Sequence, residues 1–301
     1  MKEDKAMNVS KLLFDNEYRF LILSNMGFYK KMNDEDYLKK KFKCIFHREL
    51  NLNQPVTYNE KLQWLKIHDR KEYYSNLVDK YKVREYVKEL IGEQYLISLI
   101  GAWDSTKEID FDNLPNSFVL KCNHNSGLGM YVCHDKSKMN TKEVIKNLNK
   151  GLKQNYYYPH REWPYKNVKP KIICEQYIGD TNSSPDDYKF LVINGKIDNI
   201  LICKDRDKGK PKFFYFNTDW ERMYCQKEEP EDVYNIKKPD NLDEMMNIVY
   251  KLSKGFKTIR IDLYNVNGKI YFGEFTFFDS SGFEVDITEE EDLRRGNKLE
   301  L

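Results

Sequence analysis

Two acidic residues stand on the arms of one apolar hairpin near the end of the chain, Asp262 in TIRIDLYNV and Glu274 in KIYFGEFTFF, joined by Asn267-Gly268. Asn-Gly marks a two-residue hairpin turn, because both central residues need positive φ. Counting outward from that turn, Asp262 opposes Gly273 and Glu274 falls one residue out of register. A bulge there brings both carboxylates to one face. Arg260 shares the face of Asp262, two residues back. A carboxylate among Phe272, Phe275 and Phe277 needs a cation. Two hard oxygen ligands side by side suit Mg²⁺ carrying a nucleotide phosphate. An Arg260–Asp262 ion pair with an edge glutamate accounts for the hairpin equally well.

A second constellation is FVLKCNHNSGLGM, in which Lys121 ends a strand that otherwise reads as core. Behind it lies a small polar loop, Asn123 to Gly129. Such a loop turns backbone N–H groups toward a phosphate. Lys121 supplies a point charge, and Gly127 and Gly129 let the backbone approach closely. His124 either hydrogen-bonds a phosphate or satisfies the loop. The GxxxxGK[ST] pattern is absent, and no helix follows as GxGxxG requires. An ordinary hairpin loop fits the same residues. The third is KIICEQYIGD, where Glu175 follows Ile172, Ile173 and Cys174. Backbone groups from Gln176 to Ile178 suit the edge of an adenine; a plain sheet strand is the alternative.

The elements that carry these residues are legible from pattern. Thr57 to Glu60 forms a capping box opening a helix, and a second helix is expected over about 76–91, stopped by Gly92. FVLKC, MYVCH, KIICEQYI, YKFLVI, KIDNILIC and FFYF read as strands, the fourth and fifth joined by Asn194-Gly195. Helices are expected over about 141–152 and after Asn241, with Glu244 completing a capping box. The first 75 residues read as helical and charged, and KKKFK (39–43) as a solvated helix face. The 301 residues carry 50 Lys+Arg against 48 Asp+Glu, with 40% hydrophobic and 33% charged. That excludes a disordered chain and offers no general field for nucleic acid. No window approaches a membrane span, and the N-terminus is charged where a signal peptide is apolar, so a soluble cytoplasmic protein is expected. Six scattered cysteines without a CxxC pair read as reduced, buried thiols.

Together the motifs resemble the TupA-like ATP-grasp family of bacterial teichuronopeptide, capsule and other surface-polysaccharide genes. Lys80 in VDKYKVREYV, Lys121 in LPNSFVLKCNHNSG, Glu175 in IICEQYIG, Asp187 in DYKFLVINGK, and Arg260, Asp262 and Glu274 follow the family's order, as do TYNEKLQWLKIHDR and LSKGF. The resemblance runs from about residue 45 to the C-terminus. It implies an α+β ATP-grasp fold, in which two subdomains with mostly antiparallel sheets clamp ATP. A helical region, 1–75, would precede the ATP-grasp region, 76–301, with subdomains at roughly 76–178 and 179–301. Lys80 and Lys121 would contact the α/β-phosphates, and the 123–129 loop, with His124, Ser126 and Gly127, would close over them. Glu175 and the segment Gln176 to Ile178 would hold adenine, and Asp187 the ribose. Asp262 and Glu274 would bind Mg²⁺. Arg260 would stabilise the transferring phosphoryl group, with Arg206 helping at the γ-phosphate. Thr276 stands where ATP-grasp enzymes usually carry Asn, implying a weaker or water-mediated metal ligand.

The activity implied is ATP-dependent carboxylate–amine ligation through an acyl-phosphate, joining an amine to an acidic sugar or glycan precursor. Two other readings compete. A glycosyltransferase of capsule assembly needs a metal motif such as Asp205-Arg206-Asp207. A non-catalytic nucleotide-binding protein is favoured by Thr276.

Overall fold

The computed structural model describes residues 9–179, 185–204, 209, 211–231 and 234–301. The chain opens with helices α1 (Val9–Phe14), α2 (Asn16–Asn25), α3 (Asp34–Phe46) and α4 (Tyr58–His68). The capping box forms as expected: Glu60 N donates to Thr57 Oγ1 (3.4 Å) and Thr57 N to Glu60 Oε2 (3.1 Å). Lys41 departs from the solvated face expected of KKKFK, because its ammonium is drawn inward by the Pro159 carbonyl at 2.5 Å.

Over 76–91 the single expected helix is broken into α5 (Tyr74–Val78) and α6 (Val83–Ile91). The cause is Asp79, whose Oδ1 accepts the Tyr81 and Lys82 N–H groups (2.9 and 3.3 Å) and the Asn123 amide (2.8 Å). A short acidic side chain thus competes with the helix for its own backbone donors. The break leaves the Lys80 N–H bonded to the Asn123 carbonyl (3.0 Å).

A four-stranded antiparallel sheet comes next: β1 (Leu99–Trp103), β2 (Phe118–Cys122), β3 (Met130–Cys133) and β4 (Ile172–Gln176), in the order β1-β4-β2-β3. Between β3 and β4 run α7 (Thr141–Leu152) and α8 (Tyr157–His160). Val144 and Leu148 of α7 bury against Phe118, Leu120, Ile172 and Cys174. The larger sheet holds β5 (Asp186–Ile193), β6 (Lys196–Lys204), β7 (Lys212–Phe216), β8 (Arg222–Met223), β9 (Thr258–Val266) and β10 (Lys269–Thr276). Its order is β10-β9-β5-β6-β7-β8, and every pairing is antiparallel. The α9 helix (Leu242–Leu252) enters between β8 and β9, and α10 (Glu289–Lys298) follows β10. Phe190, Ile200, Ile261 and Phe275 pack with Val87 of α6 and Val249 of α9 in the main core. The α+β architecture with mostly antiparallel sheets is as expected. Among the described residues no helix is long and apolar enough to cross a membrane. All six cysteines are buried and free.

Both Asn-Gly turns adopt the positive φ their sequence demands, 46° and 75° at Asn194-Gly195 and 52° and 80° at Asn267-Gly268. The capping box at Asn241 does not form. The Asn241 amide donates to the Gly268 carbonyl (2.9 Å) and Glu244 accepts the Tyr95 hydroxyl (2.7 Å), so tertiary partners replace the local ones.

The C-terminal helix is locked to the large sheet through Asp198. Its buried carboxylate accepts two bonds from Arg294 (2.8 and 2.7 Å) and one from Lys298 (2.7 Å). Burial by itself would raise the Asp198 pKa, but Arg294 and Lys298 hold it below the usual carboxylate range. Asp198→Ala is expected to cost about 2–3 kcal/mol at pH 7, because charge-assisted bonds are lost while the freed cations reach solvent. A depressed folded-state pKa contributes stability above the unfolded pKa of about 4 and loses it as pH falls. Urea unfolding of wild type and variant therefore converges as pH drops below about 4.

Candidate active site

The bulge required between the two acids is present. Phe272 pairs with Leu263, then Glu274 pairs with Asp262, leaving Gly273 as the extra residue. A Cβ at Gly273 would lie 3.0 Å from the Asp262 carbonyl oxygen, so glycine is what lets the strand bulge there. Direct register partners share a face of the sheet. On β5, Lys189 pairs with Asp262, so Glu274, Asp262 and Lys189 form one row on one face. Asp187 lies two residues along β5, on the same face.

Arg260 binds this row into a cluster. Its Nε donates to Asp262 Oδ1 (2.7 Å) and its Nη2 to Asp262 Oδ2 (3.0 Å), with Glu274 Oε1 at 3.6 Å from Nη2. Its Nη1 donates to Asp279. Lys189 donates to Asp262 and lies 2.7 Å from Asp187 Oδ2. Lys80 reaches in from the break between α5 and α6 and pairs with Glu274 Oε2 at 2.9 Å. Four carboxylates thus surround three cations in a site where Asp262 is 3% exposed and Lys189 7%. Burial works to raise the Glu274 pKa, but Lys80 and Arg260 hold it well below the usual carboxylate range. Both metal-candidate acids lie within reach of one guanidinium, so their oxygens converge. This donor set, two hard carboxylates with the Thr276 hydroxyl nearby, fits a divalent cation such as Mg²⁺. Thr276 is half-buried and pairs with Arg260 across the hairpin.

A second cluster lies on the small sheet. Lys121 Nζ is 2.6 Å from Glu175 Oε2, and Arg84 Nη1 is 3.1 Å from Glu175 Oε1. Lys121 and Glu175 come from neighbouring strands, β2 and β4. Asn123, two residues after Lys121, ties that strand's end to the Lys80 segment: its carbonyl accepts the Lys80 N–H and its side-chain amide donates to Asp79 Oδ1. β4 is an inner strand rather than an edge. The Gln176 N–H donates to the Ser98 carbonyl (2.9 Å), so only the stretch through Ile178 runs past the ladder.

In the 123–129 loop, His124 is 2% exposed. Its Nδ1 lies 3.1 Å from Asn123 Oδ1 and its Nε2 2.9 Å from the Gln154 carbonyl, so both nitrogens have protein partners. Asn125 is likewise buried and donates to the Gly151 carbonyl at 3.0 Å, tying the loop to α7. Ser126 is exposed, and a Cβ at Gly127 would meet open space. The close approach expected of Gly129 is made, but to Gly151 of α7: a Cβ there would lie 2.9 Å from the Gly151 Cα. Arg206 falls outside the described residues, as does the Asp205-Arg206-Asp207 motif.

Three charged residues escaped the sequence reading. Lys189 stands two residues after Asp187 in an otherwise apolar strand, and that alternation was the available signal. Arg84 stands four residues after Lys80, in the first turn of α6. Asp279 is fixed by a turn in which Ser280, Ser281 and Gly282 all have positive φ (47°, 55° and 63°). That turn is braced by buried polar side chains. Lys66 donates to the Ser281 carbonyl (2.6 Å) and Ser281 Oγ to Glu162 Oε1 (2.5 Å). Here α4, from the N-terminal helical part, helps hold the Asp279–Arg260 contact in place.

Fold and site together define a class: two unequal antiparallel sheets joined where a lysine from one side meets paired carboxylates on the other. The chain belongs to the TupA-like ATPgrasp family, whose sequence profile matches residues 60–300. Searching curated proteins gives no match. Among solved structures, D-alanine–D-alanine ligase from Helicobacter pylori is similar at 16% identity and a TM-score of 0.46, over 81% of this chain and 69% of that one. The Bacillus anthracis D-alanine–D-alanine ligase complexed with ATP is similar at 15% identity and a TM-score of 0.40, over 67% of this chain. N5-carboxyaminoimidazole synthetase from Staphylococcus aureus, complexed with ADP, is similar at 14% identity and a TM-score of 0.41, over 74% of this chain. The chain spans 54% and 52% of the latter two proteins' own lengths.

Proposed function

We propose that this protein is an ATP-dependent carboxylate–amine ligase. The observation that carries the reading is the convergence on Glu274 of Lys80, Arg260 and, in register, Asp262. A carboxylate oxygen is a poor leaving group, and an acyl-phosphate replaces it with a good one. The residues present suit that chemistry. Lys80 and Lys121 would draw the phosphates into the space between the sheets. Asp187 would hold the ribose hydroxyls, and the segment through Ile178 the adenine. Arg260, anchored on Asp262 and Asp279, would meet the charge that develops on the moving phosphoryl group. Mg²⁺, held by Asp262, Glu274 and the Thr276 hydroxyl, would supply charge neutralisation on the phosphates when bound. Lys189 bridges Asp187 and Asp262 and orients them within the row. No protein nucleophile is needed, and positioning does most of the work.

The acid would be an acidic sugar or glycan precursor and the amine an amino acid or similar compound, in surface-polysaccharide assembly in the cytoplasm. The family resemblance supports that finer reading. The test is an ADP-release screen of acidic sugars crossed with amines. Release that requires both partners supports ligation. Turnover of a nucleotide sugar without ATP supports a glycosyltransferase, and ATP binding without turnover a non-catalytic protein. Thr276 bears on the last of these. Thr276→Asn is expected to keep or raise ADP release, since an amide carbonyl is a better metal ligand than a hydroxyl. Loss of turnover in that variant, measured beside its Mg²⁺ dependence, would show that the hydroxyl itself is needed.

A further inference from the structure

The row that holds Glu274, Asp262 and Lys189 continues across the sheet. Lys189 pairs with Leu201 and Leu201 with Tyr215, so the same face extends to β7. Glu284, two residues beyond the Asp279–Gly282 turn, stands over this end. Its Oε1 accepts the Tyr215 hydroxyl at 3.2 Å, and its Oε2 faces Arg295 Nη1 at 3.4 Å. Its own N–H is fixed by Asn59 Oδ1 (2.9 Å). The Arg295 guanidinium is divided between two acids, donating from Nη1 to Glu284 and from Nε to Glu291 (2.6 Å), with its Nη2 buried and unpartnered. Glu284 is therefore held by one phenol and one long contact, and its side chain stays 13% exposed. Asp262 is paired with Arg260 and Lys189, Asp279 with Arg260, and Glu274 with Lys80.

The ligation proposed above leaves one proton without an acceptor. A primary amine arrives at neutral pH as an ammonium ion and has no lone pair to attack with. Asp187, Asp262, Asp279 and Glu274 are each held at close range by Lys80, Lys189 or Arg260, and those ion pairs compete with a proton. Glu162 is buried too, but it is sealed beneath Ser281 at 3% exposure. Resting on the ligase reading, we propose that Glu284 binds the ammonium group of the amine substrate and accepts the proton whose loss frees the nitrogen to attack. The nitrogen lone pair forms the C–N bond to the acyl carbon. Glu284 takes one ammonium proton, which frees that lone pair; the C–O bond to phosphate breaks with its electron pair leaving on inorganic phosphate, and the second N–H proton passes to that phosphate. Glu284 then returns the proton to solvent along its exposed edge.

The electrostatics agree with the geometry. Burial, then the charge of Asp279, push the Glu284 carboxyl up to about 7, against the opposing pull of Arg295, Tyr215 and Arg260. Glu291 of α10 faces Arg295 rather than Glu284. A base poised near the working pH is the efficient one.

The test uses the full chain, the acid found by the ADP-release screen and two nucleophiles. One is the amine from the same screen. The other is hydroxylamine, which arrives unprotonated at neutral pH and traps the acyl-phosphate as a hydroxamate. Glu284→Gln is expected to slow amide formation by about 100-fold or more at pH 7. Hydroxamate formation is expected to fall less than about tenfold, and raising the pH to recover part of the amide rate. Equal losses with both nucleophiles, or unchanged amide formation, overturn the proposal. Wild-type protein that releases no ADP with any acid–amine pair defeats the ligase reading instead. Carbon-13 titration of glutamate-labelled wild type then decides the Glu284 assignment separately, with Glu284→Asp identifying the resonance. A carboxyl titrating near pH 7 is expected, and one titrating only in the ordinary glutamate range overturns the proposal.

Discussion

Glu274→Gln is expected to lower Mg²⁺-dependent ADP release by about a thousandfold while the protein stays folded. The amide keeps the shape and the strand register but removes the charge that faces Lys80 at 2.9 Å and Arg260 at 3.6 Å. Arg260 keeps Asp262 and Asp279, so the cluster does not collapse. Lys80 is left with a neutral partner and enough solvent access to hydrate, since its side chain is 14% exposed. Loss of the charge thus falls on metal affinity rather than on stability. Mg²⁺ titration of ADP release, beside circular dichroism melts, measures both. Wild-type Mg²⁺ dependence in the folded variant would remove Glu274 from the metal site.

Lys121→Ala is expected to weaken ATP binding by about 10- to 100-fold, the range of a lost charge-assisted phosphate contact. Glu175 would then carry only Arg84, at 3.1 Å, which still neutralises it. The strand around Lys121 is paired on both sides, with Met130 and with Ile173, so removal of the side chain leaves the sheet intact. Calorimetric titration with ATP reads the affinity, and thermal unfolding controls for fold. An affinity equal to wild type in the folded variant would take Lys121 out of the nucleotide site, leaving it as a structural partner of Glu175.

The two predictions divide the site as the sequence does. Lys121 and Glu274 were each legible because a charged residue interrupts an apolar strand, and burial of an unpaired charge is too costly to be incidental. The Asn267-Gly268 turn fixed the hairpin, and with it the one-residue offset that only a bulge at Gly273 resolves. Thr57 and Glu60, both Asn-Gly turns and the helix at 141–152 were equally local matters, decided by side chains within a few residues of each other.

Other features depended on partners distant in sequence. Asp79 broke a helix that periodicity alone would continue, accepting the Tyr81 and Lys82 N–H groups while the distant Asn123 amide fixes the same carboxylate oxygen. Asn241 and Glu244 gave up their capping box to Gly268 and Tyr95. Lys189 became part of the cluster only when β5 was placed beside β9, and Glu284 only when the turn after β10 carried it over Tyr215. By itself the sequence determined which side chains could not be left unpaired and where the chain must turn, since those energies are local. Which charge answers which, and on what face, was decided by strand order and by long-range packing, where a shift of one residue in register exchanges every partner.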